Sequence, residues 1–227
     1  MSDFAERVTS IGALGDPLRR DLYLYVCAKP YAVSRDEAAD ALDVPHHKAK
    51  FHLDRLEAEG LLTTEFARLT GRSGPGAGRP AKLYRRAPAD ISVSLPGREY
   101  EIAGQLLAAA VATSARTGGS PIDALHQEAA RQGREWAQAA LAAYEGGTPI
   151  QLAEQVLAEH GYEPREDDER VILANCPFHT LSASHTEMVC GMNLALIQAV
   201  VDEVGPDDLD CRLEPGEQRC CVVLSSR

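Results

Sequence analysis

The stretch SRDEAADALDVPHHKAKFHLDRLEAEGLL, residues 34–62, decides the fold of the first third of the chain. Ser34 and Glu37 have S-x-x-E spacing, in which the serine hydroxyl caps a first helical turn and the glutamate reaches back to it. A short helix follows, burying Ala38, Ala39 and Leu42. Asp43-Val44 breaks it, and Pro45 suits the first turn of the next helix, where no amide hydrogen is needed. That helix buries Ala49, Leu53 and Leu56 and stops at Gly60, a natural left-handed terminator. Two short helices around a tight break form a helix-turn-helix.

Working outward, Asp16-Pro17 opens an earlier helix with Leu18, Leu22, Tyr25 and Val26 on one face. On the other side, Leu61 to Leu69 reads as a strand, GRSGPGAGRP as a glycine-rich tip, and Ala81 to Arg86 as a returning strand, which together form a wing. The exposed face of the second helix carries His46, His47, Lys48 and Lys50, with Arg55 further along. In a helix-turn-helix this end of the second helix enters the major groove, where such donors reach base edges or phosphates. Arg68, Arg72 and Arg79 on the wing suit phosphate or minor-groove contact. His52 is expected to pack rather than to read bases. The plainer alternative is a solvated helix face and a charged hairpin; helix, turn, helix and basic wing in this order argue against it.

The stretch DVPHHKAKFHLDRLEAEGLL and the wing end Gly78-Arg79-Pro80…Tyr84 resemble the winged-helix repressors of the ArsR-like group over residues 12–87. The resemblance implies a transcription factor that binds double-stranded promoter DNA at an operator.

Overall charge argues the other way. The 227 residues carry a formal charge of −11, which for the whole chain disfavours a nucleic-acid partner. The charge is unevenly distributed. Residues 1–90 hold 14 Lys or Arg and 13 Asp or Glu, whereas residues 91–227 hold 9 and 21. From Arg68 to Arg86 there are six basic residues and no acid. The acidic excess therefore belongs to the C-terminal part, and the N-terminal part keeps a local basic stripe. No apolar run approaches the ~18 residues that span a bilayer, and MSDFAERVTS lacks a signal peptide's apolar segment. The expectation is a soluble, cytoplasmic protein with no membrane partner.

Three regions follow: residues 1–90 as the DNA-binding domain, 91–160 as a helical linker or dimerisation region, and 161–227 as a cysteine-rich effector domain. The fold class is mainly α with an α+β C-terminal domain. The middle is Ala-rich and helical at 99–116, 121–144 and 149–160, broken at Gly118-Gly119 and Gly146-Gly147. Leu106, Leu107, Ala109, Ala110 and Val111 make a surface broad enough for core or for a dimer seam. Winged-helix factors commonly bind paired half-sites as symmetric dimers, so a homodimer is expected. Trp136 reads as a packing residue.

Five of the six cysteines, Cys176, Cys190, Cys211, Cys220 and Cys221, fall in the last 52 residues. In a cytosolic chain such a cluster points to metal or redox chemistry more than to structural disulfides. Val171 to Leu173 forms a strand that delivers Cys176-Pro177-Phe178-His179; Thr186 to Val201 is a helix carrying Cys190; Leu209 to Leu213 and Arg219 to Leu224 close as a hairpin. Cys176 and His179 have the C-x2-H spacing of a metal knuckle. Alternation along the last strand allows only one of Cys220 and Cys221 into a site, and Cys220 is the choice. The candidate ligands are thus Cys176, His179, Cys190 and Cys220, with His185, Cys211 and Cys221 in reserve. Such a set fits tetrahedral zinc, or an iron–sulfur cluster with one non-cysteine ligand. Cys27 and Cys211 read as small buried hydrophobes.

The order of winged helix, helical middle and N-C-P-F…C-x-M-N…C resembles the SufR-type iron–sulfur repressors and their actinobacterial relatives. The resemblance implies a cluster in the C-terminal domain that controls promoter binding, held by Cys176, Cys190 and Cys220. The chain departs from that family's four-cysteine pattern, because its fourth donor is Cys211 at another spacing or is replaced by His179. A metal-free regulator in which the vicinal pair Cys220-Cys221 and a partner thiol form a reversible disulfide is the alternative. A Cys–His enzyme is the distant one, since no G-x-S-x-G, phosphate loop or H-E-x-x-H accompanies the thiols.

Overall fold

A computed structural model describes residues 3–68, 80–143, 146–167 and 170–227. Among them helix predominates, and the chain divides into two compact units, Met1–Val93 and Ser94–Arg227.

The first unit contains α1 (Asp3–Ala13), α2 (Pro17–Cys27), β1 (Val33–Ser34), α3 (Arg35–Ala41), α4 (His46–Ala58), β2 (Leu62–Ala67) and β3 (Ala81–Arg86). Asp16 caps α2 by accepting from the Arg19 amide at 2.9 Å, and Ser34 caps α3 by accepting from the Glu37 amide at 3.1 Å. Glu37 does not complete the expected box. Its carboxylate instead accepts the hydroxyls of Tyr31 and Tyr25, at 3.1 and 3.3 Å.

The two helices of the helix-turn-helix end in the same way. Asp43 (φ +51°) and Gly60 (φ +73°) are left-handed. The amides beyond them, Val44 and Leu61, reach back to the carbonyls of Ala39 and Leu56 at 3.0 and 2.9 Å. This six-to-one closure satisfies carbonyls that a helix end would otherwise leave unpaired. Aspartate tolerates the left-handed region better than most non-glycine residues, which permits the tight turn before Pro45. Ala38, Ala39, Ala49, Leu53 and Leu56 are fully buried and join Leu22, Val26 and Tyr84 in one core. β2 pairs with β3 from Leu62↔Arg86 to Ala67↔Ala81, and β1 adds to the other edge of β3. The tip of the predicted wing, with Arg72 and Arg79, lies outside the described residues.

The second unit contains α5 (Tyr100–Thr117), α6 (Pro121–Ala143), α7 (Pro149–Glu159), β4 (Pro164–Asp167), β5 (Arg170–Leu173), α8 (His179–Ser184), α9 (Thr186–Val204), β6 (Leu209–Leu213) and β7 (Val222–Ser226). Its four strands form an antiparallel sheet in the order β4-β5-β7-β6. The regions 91–160 and 161–227, distinguished in the sequence by composition, share one hydrophobic core. Leu106, Leu125 and Trp136 from the helical stretch and Phe178, Leu196 and Val222 from the cysteine-rich stretch belong to it. The physical reason lies in α9, whose buried positions run around much of its circumference, from Val189 and Met192 to Val200 and Val201. Such a helix needs cover on several sides, and both the sheet and α6 supply it. Where α6 crosses α9 the backbones nearly touch: a Cβ on Gly133 would lie 2.1 Å from the Leu196 carbonyl oxygen.

The last strand begins at Val222, not Arg219, so Cys220 and Cys221 precede it in irregular backbone. Strand alternation does not govern them.

Candidate nucleic-acid interface and thiol cavity

The exposed side of α4 is less positive than its sequence suggests. His46 Nδ1 lies 2.7 Å from Asp36 Oδ1 and its Nε2 3.3 Å from Asp40 Oδ1, so this histidine ties α4 to α3. The hydrogen bond to Asp36 holds the His46 pKa above the ordinary imidazole value. Lys50 pairs with Asp54 at 2.7 Å, and Arg55 pairs with Glu59 at 2.5 Å. His47 and Lys48 project with no partner among the described residues. Phe51 is 65% exposed beside them, a position the sequence reading passed over. His52 is half-buried and faces the start of α2, with Arg19 Nε 3.4 Å from its Nδ1.

A polar network fixes α4 to the wing strand. Asp54 accepts from Lys82 at 2.9 Å and from the Tyr84 hydroxyl at 2.7 Å, and Lys82 also pairs with Glu57. Desolvation opposes the charge on Asp54, but the hydrogen bonds from Lys50, Lys82 and Tyr84 outweigh it and hold the carboxyl far below its usual range. Tyr84 is pushed up in turn, by burial first and by the Asp54 hydrogen bond second. These partners lie 25–30 residues apart in sequence, which is why α4 alone did not reveal them.

In the second unit Cys176, His179, Cys190, Cys220 and Cys221 line one cavity of about 230 Å³, under the turn Pro215–Arg219. All four sequence-derived ligand candidates are there, together with Cys221. The reserve candidates are elsewhere: His185 lines a different cavity with His126, and the Cys211 thiol donates to Gln198 Oε1 at 3.2 Å. The Cys211 pKa is pushed up to about 12 by burial.

The cavity thiols are close enough to shift one another's pKa values. The bond from Cys220 lowers the Cys176 pKa, and Cys220 itself is raised by the same contact. Cys221 falls to about 6, chiefly through its bond from Cys220, while burial pushes Cys190 up to about 12. Asn193, almost wholly buried, donates to Cys220 Sγ at 3.1 Å and accepts from the Tyr162 hydroxyl. Glu214 gathers Arg170, Arg212 and Arg219 at 2.9–3.1 Å and fixes the turn above the thiols. Arg219 folds over Gly216 in that turn, its Nε 2.2 Å from where a Cβ would lie.

The segment that opens the second unit is bolted to the Cys176 turn. Arg98 Nη1 donates to Asn175 Oδ1 at 2.5 Å and to the Cys176 carbonyl at 3.2 Å. Asn175 Nδ2 donates to the carbonyls of Gly97 and Gly161, at 2.9 and 2.5 Å. The Glu99 amide donates to the Pro177 carbonyl at 3.2 Å, and the Tyr100 hydroxyl to Thr180 Oγ1 at 2.7 Å. Gly97 and Gly161 pack backbone to backbone, with room for no Cβ on Gly97.

Among the described residues, no three His, Cys, Asp or Glu side chains surround a common point closely enough to hold a metal ion. A mononuclear zinc site places all its donors about 2–2.3 Å from one centre. The thiols here are instead distributed around a cavity. Four thiols and an imidazole are donor types that either an iron–sulfur cluster or zinc can take.

Residues 14–65 match the family described as a helix-turn-helix domain. With the paired wing strands, this defines the first unit as a winged helix-turn-helix and supports the class of DNA-binding transcriptional regulators. No curated protein sequence matches the chain. Among the described residues no helix is long and apolar enough to cross a membrane.

Proposed function

We propose that the chain is a promoter-binding repressor whose DNA affinity is set by an iron–sulfur cluster in the thiol cavity. The observation that carries this reading is the convergence of Cys176, Cys190, Cys220 and Cys221 on one cavity from three separate segments. Cys176, Cys190 and Cys220 would hold the cluster, with Cys221 or His179 as the fourth donor. Bound there, the group would supply a redox-sensitive cross-link among the Cys176 turn, α9 and the segment before β7. Arg98 and Asn175 would then carry the position of the Cys176 turn to residues 97–100, at the start of the second unit. A coupling of about 1–3 kcal/mol changes operator affinity roughly 5–150-fold. The regulator acts as a homodimer on paired half-sites, with the C-terminal acidic excess keeping non-specific DNA binding low.

Zinc in the same donors is the neighbouring reading. A metal-free thiol switch is favoured by one specific observation, that Cys176, Cys190, Cys220 and Cys221 share this cavity and shift one another's pKa, with Cys221 lowered to about 6. Absorbance of anaerobically purified protein, with iron, sulfide and zinc analysis, separates the three. Iron and acid-labile sulfide with broad visible absorbance are expected. Zinc alone would move the assignment to a zinc site, and metal-free protein that forms a defined disulfide would replace the cluster with thiol redox chemistry.

A further inference from the structure

We infer that Phe51 reads a thymine methyl group in the major groove and so sets part of the operator preference. The inference rests on α4 being the recognition helix. Phe51 stands near the middle of the exposed arc of α4, one turn beyond His47 and Lys48 and one turn before Arg55. The core does not account for it. Ala49, Leu53 and Leu56 satisfy the buried face completely, while Phe51 turns 65% of its surface to solvent. Its ring meets His52 edge-on, centroids 5.3 Å apart, which supports the outward orientation from below.

The surrounding charges narrow the occupant. His46, Lys50 and Arg55 are engaged by Asp36 and Asp40, Asp54 and Glu59. Among the described residues, what the helix offers freely is therefore His47, Lys48 and an aromatic ring. The first two suit hydrogen-bond acceptors on bases and phosphates. The ring suits the 5-methyl of thymine, the apolar group that base edges present in the major groove. Burying an apolar contact the size of one methyl corresponds to about fourfold in affinity.

The test uses the full chain and a duplex that it selects from a random pool. Each thymine of that duplex is replaced in turn by deoxyuridine, which removes the 5-methyl and nothing else. Wild type should bind about fourfold more weakly at one or more uracil positions. Phe51→Ala should bind the thymine and uracil duplexes equally there, and Phe51→Leu should keep part of the preference. Because the side chain is exposed, the thermal unfolding of both variants should match wild type. Wild type indifferent to uracil everywhere, or Phe51→Ala with the wild-type thymine-to-uracil ratio, would overturn the assignment. If Lys48→Ala still weakens binding in that case, the recognition helix stands and only the role of Phe51 falls. Failure to enrich any duplex would overturn both.

Discussion

Lowering the pH from 7 to 5 should destabilise the second unit through one stacked pair. The His160 imidazole lies flat on the Trp136 indole, centroids 3.5 Å apart and planes 4° from parallel. Burial pushes its pKa from 6.5 down to about 4, against a weaker opposing influence of Glu159. The folded state therefore prefers neutral His160. Its contribution to stability is complete above the unfolded value of 6.5, declines as the pH falls toward 4, and is constant below that. At pH 5 the shift corresponds to at most about 2 kcal/mol, and allowing for solvent at the ring's open edge reduces this to ~1 kcal/mol. Trp136 is the sole tryptophan of the chain, so urea unfolding followed by its fluorescence reports on this unit. His160→Phe preserves an aromatic plane and removes the titration. The loss of stability between pH 7 and pH 5 should be ~1 kcal/mol smaller in the variant than in wild type. Equal losses in both proteins would refute the buried, neutral imidazole.

Gly133→Ala should cost about 2–3 kcal/mol, because the added carbon meets the Leu196 carbonyl where α6 crosses α9. Gly104→Ala, an exposed position in α5 with nothing within 4 Å of the new carbon, should be neutral or stabilising by about 0.5–1 kcal/mol; thermal unfolding compares the two. Lys48→Ala should weaken operator binding and reduce the salt slope by about one, whereas Arg55→Ala, already paired with Glu59, should do less in the same titration. Arg98→Ala should retain wild-type iron content while the cofactor-loaded and cofactor-free forms converge in DNA affinity, as measured by fluorescence anisotropy.

Much of the first unit was legible because its signals are local. Ser34, Pro45 and Gly60 act within a few residues of themselves, and the apolar spacing of α4 needs no partner to be read. What escaped was whatever depends on a second segment. Glu37 was diverted from its capping role by Tyr25 and Tyr31. Three of the basic side chains of α4 were engaged, His46 by Asp36 and Asp40 across the turn and Lys50 and Arg55 by Asp54 and Glu59 along the helix. In the second unit the thiols were visible as a cluster in sequence, and the cavity collects those of Cys176, Cys190 and Cys220. Cys221 was set aside by a strand rule that fails because β7 starts at Val222, beyond both cysteines. The Arg98–Asn175 clamp joins residues 77 apart, and no local pattern announces it.

On the proposed function, the thiol cavity and the DNA-binding face are coupled. The most direct test of that coupling is operator affinity of one anaerobic preparation, measured before and after its cofactor is removed by oxidation and chelation. Iron and sulfide are expected in the first sample, with a change in affinity of roughly 5–150-fold on their removal that is abolished in Cys176→Ala. Full iron occupancy with identical DNA affinity in both forms would contradict it.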